Sequence, residues 1–187
     1  DNFGKAYSEA LVFCKKKSKI FIHPFDDLKV IEGQATVFLE IIKQANFDID
    51  YIFIPIGGGG LISGAINVFK QLSPKTKIIG IEPLGAPAMK TSINNNKNTT
   101  LKSIDGFVDG AAVKRVGEIS FNFCKKYLDD LILIDEGEIC QSILDLEKYH
   151  SIVAEPAGAM SNAALNIYSS KIINKNVVCI ICGGNND

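Results

Sequence analysis

The sequence predicts an α/β fold in which helices cover both faces of a parallel β-sheet. Apolar runs of strand length alternate with segments whose apolar residues recur every three or four positions, the spacing of a helix with one buried face. The strand-length runs, such as residues 51–56, are continuously apolar, which is typical of strands buried on both faces. With 187 residues, 47% of them hydrophobic, the chain can form one sizeable core.

The amino-terminal third is predicted to contain two helices and two strands. Apolar residues at intervals of three and four indicate helices over 3–17 and 29–45. A short apolar strand is expected at 19–22, where Pro24 stops it, and a longer apolar strand at 51–56.

The rest of the chain continues the alternation of helix and strand. Pro156 occupies a favourable first-turn position for an Ala-rich helix, and the polar, Asn-rich stretch 94–100 predicts a surface loop. The predicted helices cover 61–72, 85–94, 117–127, 136–148 and 157–169, and the predicted strands cover 77–82, 131–135 and 177–182.

Charge and hydropathy argue against two classes of partner. Twenty basic and 21 acidic side chains leave a formal charge of −1, and the basic cluster at 15–17 is too small for a nucleic-acid footprint. The longest apolar runs are only strand-length, so we expect no membrane span, and no secretory leader is recognisable. Because the sequence opens on Asp1 and stops at Asp187, shortly after a predicted strand, we expect a piece of a longer protein.

The five cysteines are odd in number and mostly lie inside apolar stretches, which favours a reducing, cytoplasmic setting over a disulfide framework. Cys179 and Cys182 form the only C-x-x-C pair. Residues three apart on a strand point to opposite faces, so zinc or redox chemistry would require the strand to end between them.

The most informative feature is a run of four glycines between a predicted strand and a predicted helix, Gly57-Gly58-Gly59-Gly60. At such a junction backbone N–H groups and the helix dipole converge on an anion, and glycine lacks the Cβ atom that would hold a phosphate away. A tight turn without a ligand is the simpler alternative, but the position favours a phosphate site.

Known phosphate motifs narrow the choice of ligand. A Walker loop is excluded because Ala65, not Lys, follows Gly64, and the spaced glycines of a dinucleotide fingerprint are absent in every register. Glu82 at the end of the next strand superficially suits a ribose-binding acid. A cup of four glycines nevertheless suits a single terminal phosphate better than a bridged diphosphate.

Seven stretches, in matching order and spacing over nearly the whole chain, resemble the fold-type-II pyridoxal-phosphate enzymes of the threonine dehydratase and serine racemase family. The segment from Ala112 to Gly117 is more similar to biosynthetic threonine dehydratases than to serine racemases. The stretches are His23-Pro24-Phe25-Asp26-Asp27, Gly33-Gln34-Ala35-Thr36, Pro55-Ile56-Gly57-Gly58-Gly59-Gly60-Leu61-Ile62-Ser63-Gly64, Gly80-Ile81-Glu82-Pro83, Asp109-Gly110-Ala111-Ala112-Val113-Lys114-Arg115-Val116-Gly117, Glu155-Pro156-Ala157-Gly158-Ala159 and Cys182-Gly183-Gly184-Asn185.

This resemblance implies pyridoxal 5′-phosphate as the cofactor and assigns roles to particular residues. Cys182 stands where many members have Ser and would hydrogen-bond the pyridine nitrogen, while Gly110 and Glu155 would line the pocket beside the ring. The residues implied to hold the phosphate are Gly57, Gly58, Gly59, Gly60 and Leu61.

Two further functional groups of the family are expected to be missing from this chain. The segment that carries the Schiff-base lysine and the loop that binds the substrate carboxylate do not occur in the sequence, and Lys114 is interpreted as a solvated or ion-paired side chain. Some relatives bind a divalent metal through Glu, a carbonyl and Asp; Glu82 is present and Ala86 offers a carbonyl, but Ala88 replaces the Asp, so we predict no metal site.

The remaining polar candidates are interpreted as structural. His23 and His150 lack a nucleophile in a suitable context, and His23, before Pro24, is expected to be a loop residue that fixes the chain's passage between domains. The pairs at 26–27 and 129–130 are predicted to form a turn and a helix–strand junction instead of acid–base dyads.

The resemblance implies that the parent enzyme dehydrates and deaminates L-threonine, and L-serine as a second candidate substrate, to a 2-oxo acid and ammonia. Serine racemase, a catabolic serine/threonine dehydratase and a non-catalytic cofactor- or anion-binding module stay open as alternatives. Residues 1–22 would end the small substrate domain, and 23–187 would form an incomplete large domain. We expect a cytoplasmic homo-oligomer, and the chain alone is expected to be inactive.

Overall fold

A computed structural model describes residues 3–185, with side chains from residue 4 onward. The side chain of Phe3, an apolar position of the first predicted helix, and the outermost residues of both predicted domains lie outside this range. The helices are α1 Phe3–Lys16, α2 Leu28–Gln44, α3 Gly60–Leu72, α4 Ala88–Asn94, α5 Glu118–Tyr127, α6 Glu136–His150 and α7 Pro156–Tyr168, with a 3-10 turn at Ser169–Lys171; the strands are β1 Tyr51–Pro55, β2 Lys77–Pro83, β3 Asp130–Ile134 and β4 Val177–Cys179.

The four strands form one parallel sheet in the order β3-β2-β1-β4. Phe38 of α2 and Phe69 of α3 belong to the core on one face, with ring centroids 6.1 Å apart. Phe53 of β1 and Met160 of α7 belong to the core on the other face. Because all four residues are fully buried, the central strands are covered from both sides, and the predicted fold class is confirmed.

Local signals in the sequence account for several helix boundaries. The Asp27 carboxylate caps α2 by accepting the amides of Lys29 and Val30 at 2.8 and 3.3 Å. Pro156 is the first residue of α7, as predicted. The first backbone N–H groups of a helix have no acceptor within the helix, so a proline there removes no hydrogen bond. Helix α4 begins at Ala88, three residues later than predicted, directly after Pro87.

The apolar segment 19–22 is not a strand, and that prediction is wrong. Ile20 is 91% exposed and Ile22 is 70% exposed, and none of the four strands pairs with the segment in the part of the chain that the structure describes. An apolar run forms a strand only where a neighbouring backbone bonds its amides, and the sequence of the segment does not reveal whether such a neighbour exists.

The last strand, predicted over 177–182, ends at Cys179. The strand therefore ends between Cys179 and Cys182. Cys179 donates to the carbonyl of Ser161 at 3.6 Å, and burial raises the pKa of both thiols, that of Cys179 to about 12, so both keep their protons. Among residues 3–185 no group of three or more His, Cys, Asp or Glu side chains is placed to hold a metal ion. Nothing in this arrangement supports zinc or redox chemistry at the pair.

None of the helices between residues 3 and 185 combines the length and the apolar character needed to cross a membrane.

Candidate active site

The four glycines lie at the carboxyl end of β1, the strand at which the order of strands in the sheet reverses. From β1 the chain proceeds to β2 and β3 on one side, and it then returns to place β4 on the other side of β1. Helices α3 and α7 belong to the cores on opposite faces of the sheet. Ligands of open α/β sheets bind in the crevice at such a switch point, outside the carboxyl ends of the strands.

The backbone of this loop presents free hydrogen-bond donors. Within the described residues, the amides of residues 57–61 donate to no protein acceptor, whereas two of the loop's carbonyls are used. The carbonyl of Gly58 accepts the amide of Gly117, and the carbonyl of Gly59 accepts the amide of Ser63, both at 3.0 Å. Helix α3 begins at Gly60, so the positive end of its dipole adds to these donors. We call the five amides of residues 57–61 the amide cup.

The absence of side chains also lets the loop pack closely against its surroundings. A Cβ atom at Gly58 would overlap the ring of Phe25, and a Cβ at Gly60 would lie 3.0 Å from the Phe25 carbonyl oxygen. Gly59 has a φ of +94°, and a Cβ there would lie 2.6 Å from the Cβ of Ser120. The sequence suggested a phosphate site or a tight turn as the reason for the glycines, and it did not reveal these close contacts with distant residues.

The other residues predicted to contact the cofactor, Gly110, Glu155 and Cys182, are linked to the loop by a series of close contacts. A Cβ at Gly57 would meet the carbonyl oxygen of Gly110 at 3.3 Å, and one at Gly110 would meet Oε1 of Glu155 at 3.2 Å. The amide of Glu155 donates to the carbonyl of Gly183 at 3.0 Å, beside Cys182. The structure thus brings the glycine loop, Gly110, Glu155 and Cys182 together at one edge of the sheet.

The Cys182 side chain is a neutral group at physiological pH. Although the residue as a whole is exposed, the protein atoms around the thiol raise its pKa above the ordinary value, and the negative charge of Glu155 raises it further. The thiol therefore keeps its proton and offers a weak hydrogen bond without a charge.

The segment 23–26 forms a second wall of the site that sequence reasoning did not assign. The Asp26 carboxylate accepts the amides of Glu118 and Ile119 at 2.8 and 2.9 Å and so caps helix α5 across more than 90 residues of sequence. Nδ1 of His23 accepts the Asp26 amide at 2.9 Å and so fixes the local path of the chain, while its role in the passage between domains stays a prediction. The stretch belongs to the family resemblance, but nothing local in it indicates a cap on so distant a helix.

A cleft of about 1000 Å³ opens beside this wall. Its lining includes Phe25 and Asp26 from this wall, together with Asp109, Lys114 and Arg115. Lys114 is exposed, and its Nζ lies 3.5 Å from the carbonyl oxygen of Lys102, so it matches the solvated interpretation.

The Glu82 carboxylate is used within the protein. It is 1% exposed and accepts the amides of Met89 and Lys90 at 2.6 and 2.8 Å, at the start of α4. Burial raises its pKa to about 7, although both amides favour the charged form. Ala88, at the position of the metal-binding Asp of some relatives, offers no ligand, and the absence of a metal stays a prediction.

Comparison with known protein families decides the class of this site. The family model described as "Pyridoxal-phosphate dependent enzyme" matches residues 1–183. The chain belongs to this family. Its amide cup fits the phosphate of such a cofactor, because free amides, the positive end of a helix dipole and missing Cβ atoms occur together in one loop.

Similar proteins and structures agree with this membership. The chain is 52% identical over 187 residues to the biosynthetic L-threonine dehydratase IlvA of Halalkalibacterium halodurans and 49% identical over 191 residues to that of Staphylococcus aureus. It is fully covered in both alignments but spans only 45% of each relative.

Solved structures give the same result. The processed threonine deaminase isoform 2 of Solanum lycopersicum superposes with a TM-score of 0.92 at 41% identity, over 96% of this chain and 53% of that one. Serine racemase of Dictyostelium discoideum superposes with a TM-score of 0.85 at 34% identity, over 97% of this chain and 58% of that one.

Proposed function

We propose that this chain is the phosphate-holding part of an enzyme that converts L-threonine to a 2-oxo acid and ammonia. The observation that carries the proposal is the free amide cup in a chain about half identical to proteins named L-threonine dehydratase. L-Serine is a second candidate substrate, because a β-hydroxyl group is the leaving group in both amino acids.

The described residues supply binding and orientation. The amides of residues 57–61 hold the phosphate, Cys182 donates a neutral hydrogen bond toward the pyridine nitrogen, and Gly110 with Glu155 lines the pocket beside the ring. When bound, pyridoxal phosphate supplies the electron sink that lets the Cα proton and then the β-hydroxyl leave. An uncharged thiol does not stabilise a proton on the ring nitrogen. Because an unprotonated ring is a weaker electron sink, negative charge at Cα would be short-lived, and this favours loss of the β-hydroxyl over reactions that need a long-lived carbanion.

The remaining parts of the proposal concern the parent protein. Residues 1–22 would end a small substrate domain and residues 23–187 would belong to a larger cofactor domain. The lysine that moves the Cα proton would come from a segment outside these 187 residues. We further propose a cytoplasmic homo-oligomer as the working form.

The test uses the parent protein that contains this chain, purified in the presence of pyridoxal phosphate. We expect it to release 2-oxobutanoate and ammonia in equal amounts from L-threonine, and its Gly58→Val variant to lose this activity together with bound cofactor. Gly33→Ala, at an exposed site in α2 where a Cβ meets nothing within 4 Å, is the matched control. Failure of the wild-type protein to release 2-oxobutanoate would overturn the proposal.

Serine racemase is the second candidate function, because two serine racemases superpose on this chain with TM-scores of 0.85 and 0.91. The same preparation incubated with L-serine separates the candidates. Formation of D-serine in excess of pyruvate would favour the racemase, and pyruvate without D-serine would favour the dehydratase.

A further inference from the structure

Ser120, in the first turn of α5, has an unpaired hydroxyl beside the glycine loop. The residue is fully buried, and among residues 3–185 its Oγ has no hydrogen-bond partner. The buried serines at 63, 92, 142 and 161 each donate to a backbone carbonyl instead. A buried hydroxyl without a partner is costly and rare in folded proteins, so its survival here calls for a partner from outside the described residues.

The position of this hydroxyl points to the loop. A Cβ at Gly59 would lie 3.0 Å from Oγ of Ser120. The two residues can therefore lie this close together only because Gly59 has no side chain. Gly59 and Gly60 are themselves buried, although their amides face no protein acceptor. The hydroxyl thus shares two properties with these amides, since it is buried at the same loop and has no hydrogen-bond partner among residues 3–185.

The neighbouring polar groups are already bonded to one another. Asp26 accepts the amides of Glu118 and Ile119, and the carbonyl of Gly58 accepts the amide of Gly117. These contacts fix the start of α5 against the loop and hold Ser120 in place. A dianionic phosphoryl group has more acceptor positions than five amides fill, and a hydroxyl donor to it would form a short, charge-assisted bond.

We propose that the Ser120 hydroxyl is a further ligand of the phosphoryl group, donating to one of its oxygens from the side of Gly59. This inference rests on the proposed function, since it requires a phosphorylated ligand in the amide cup. It adds a side-chain donor from α5 to a site otherwise built from the backbone of one loop.

The test measures binding of 4′-deoxypyridoxine 5′-phosphate, which needs no lysine, and of unphosphorylated 4′-deoxypyridoxine by titration calorimetry. Ser120→Ala should bind the phosphorylated compound about tenfold more weakly, the loss expected for one hydrogen bond to a charged group, and the unphosphorylated compound equally well. Its ligand-free melting temperature should stay equal or rise, because an unpaired buried hydroxyl has been removed. The ³¹P resonance of the bound ligand should also shift between wild type and variant.

Ser142→Ala is the matched control, since its buried hydroxyl donates to the Ala159 carbonyl on the other face of the sheet. We expect it to lower the melting temperature and leave the affinity within twofold. Equal affinity of Ser120→Ala and wild type for the phosphorylated compound, or an equal loss for both compounds, would overturn the inference alone. A wild-type chain that does not prefer the phosphorylated compound would overturn the amide cup as well.

Discussion

At the scale of single residues, the four glycines satisfy two requirements at once. In the proposed function their amides face an anion, and in the fold their missing side chains let the loop pack closely against Phe25, Ser120 and the Gly110 segment. Only the first requirement is visible in the sequence, because the second depends on residues that lie far away along the chain. A substitution in this loop therefore changes folding as well as binding.

We predict opposite effects of alanine at two glycines of this chain. Gly59→Ala should lower the free energy of unfolding by about 1–3 kcal/mol, because Ala is strained at a φ of +94° and its Cβ would meet Ser120. Gly33→Ala should raise it by about 0.5–1 kcal/mol, because Gly33 is exposed within α2 and nothing lies within 4 Å of the added atom. Urea denaturation followed by circular dichroism measures both, and effects of the same sign would contradict the role of close packing at Gly59.

At the scale of elements, the periodicity of apolar residues, together with glycine and proline signals, predicted most of the fold. The central strands, the glycine loop and the start of α7 are encoded locally by apolar runs, by Gly57 to Gly60 and by Pro156. The segment 19–22 has the same apolar character, but strand formation depends on a partner strand, which no local pattern supplies. The cap that Asp26 places on α5 joins positions more than 90 residues apart, so it too was beyond prediction from the sequence.

The junction of β2 and α4 should make stability depend on pH. The pKa of Glu82 is about 7 in the folded chain against an ordinary value of 4.5, so the folded state holds this proton more tightly than the unfolded state does. The free energy of unfolding should accordingly fall as pH rises from about 4.5 to about 7, by up to about 3 kcal/mol from this group.

The comparison of Glu82→Gln with wild type isolates this contribution. Urea denaturation at pH 5.0 and pH 7.5 should show a smaller difference between the two pH values in the variant. Glu147→Gln, at an exposed glutamate of α6, should leave the wild-type difference unchanged. Identical pH dependence in wild type and Glu82→Gln would show that the carboxylate does not carry this proton near neutral pH.

At the scale of the whole molecule, the chain contains the amide cup but spans only 45% of the curated relatives that it matches. The sequence does not contain the segment that carries the Schiff-base lysine in the family described above. We therefore expect the 187-residue chain alone to release no ammonia from L-threonine.

Chemical labelling tests this expectation directly. Incubation with pyridoxal phosphate, borohydride reduction and peptide mapping should give labels spread over several exposed lysines at less than one equivalent each. A single stoichiometric label, for example on Lys114, together with turnover of threonine would show that the chain supplies its own catalytic lysine.

The central claim is that the backbone amides of residues 57–61 hold the phosphate of the cofactor. The most direct measurement is a titration of the ¹⁵N-labelled chain with 4′-deoxypyridoxine 5′-phosphate, followed by two-dimensional NMR. The amide protons of residues 57–61 should move downfield and saturate, with much smaller shifts for unphosphorylated 4′-deoxypyridoxine and none at Gly33 or Gly137. Amides of residues 57–61 that do not move at saturation, or that move equally with both compounds, would contradict the claim.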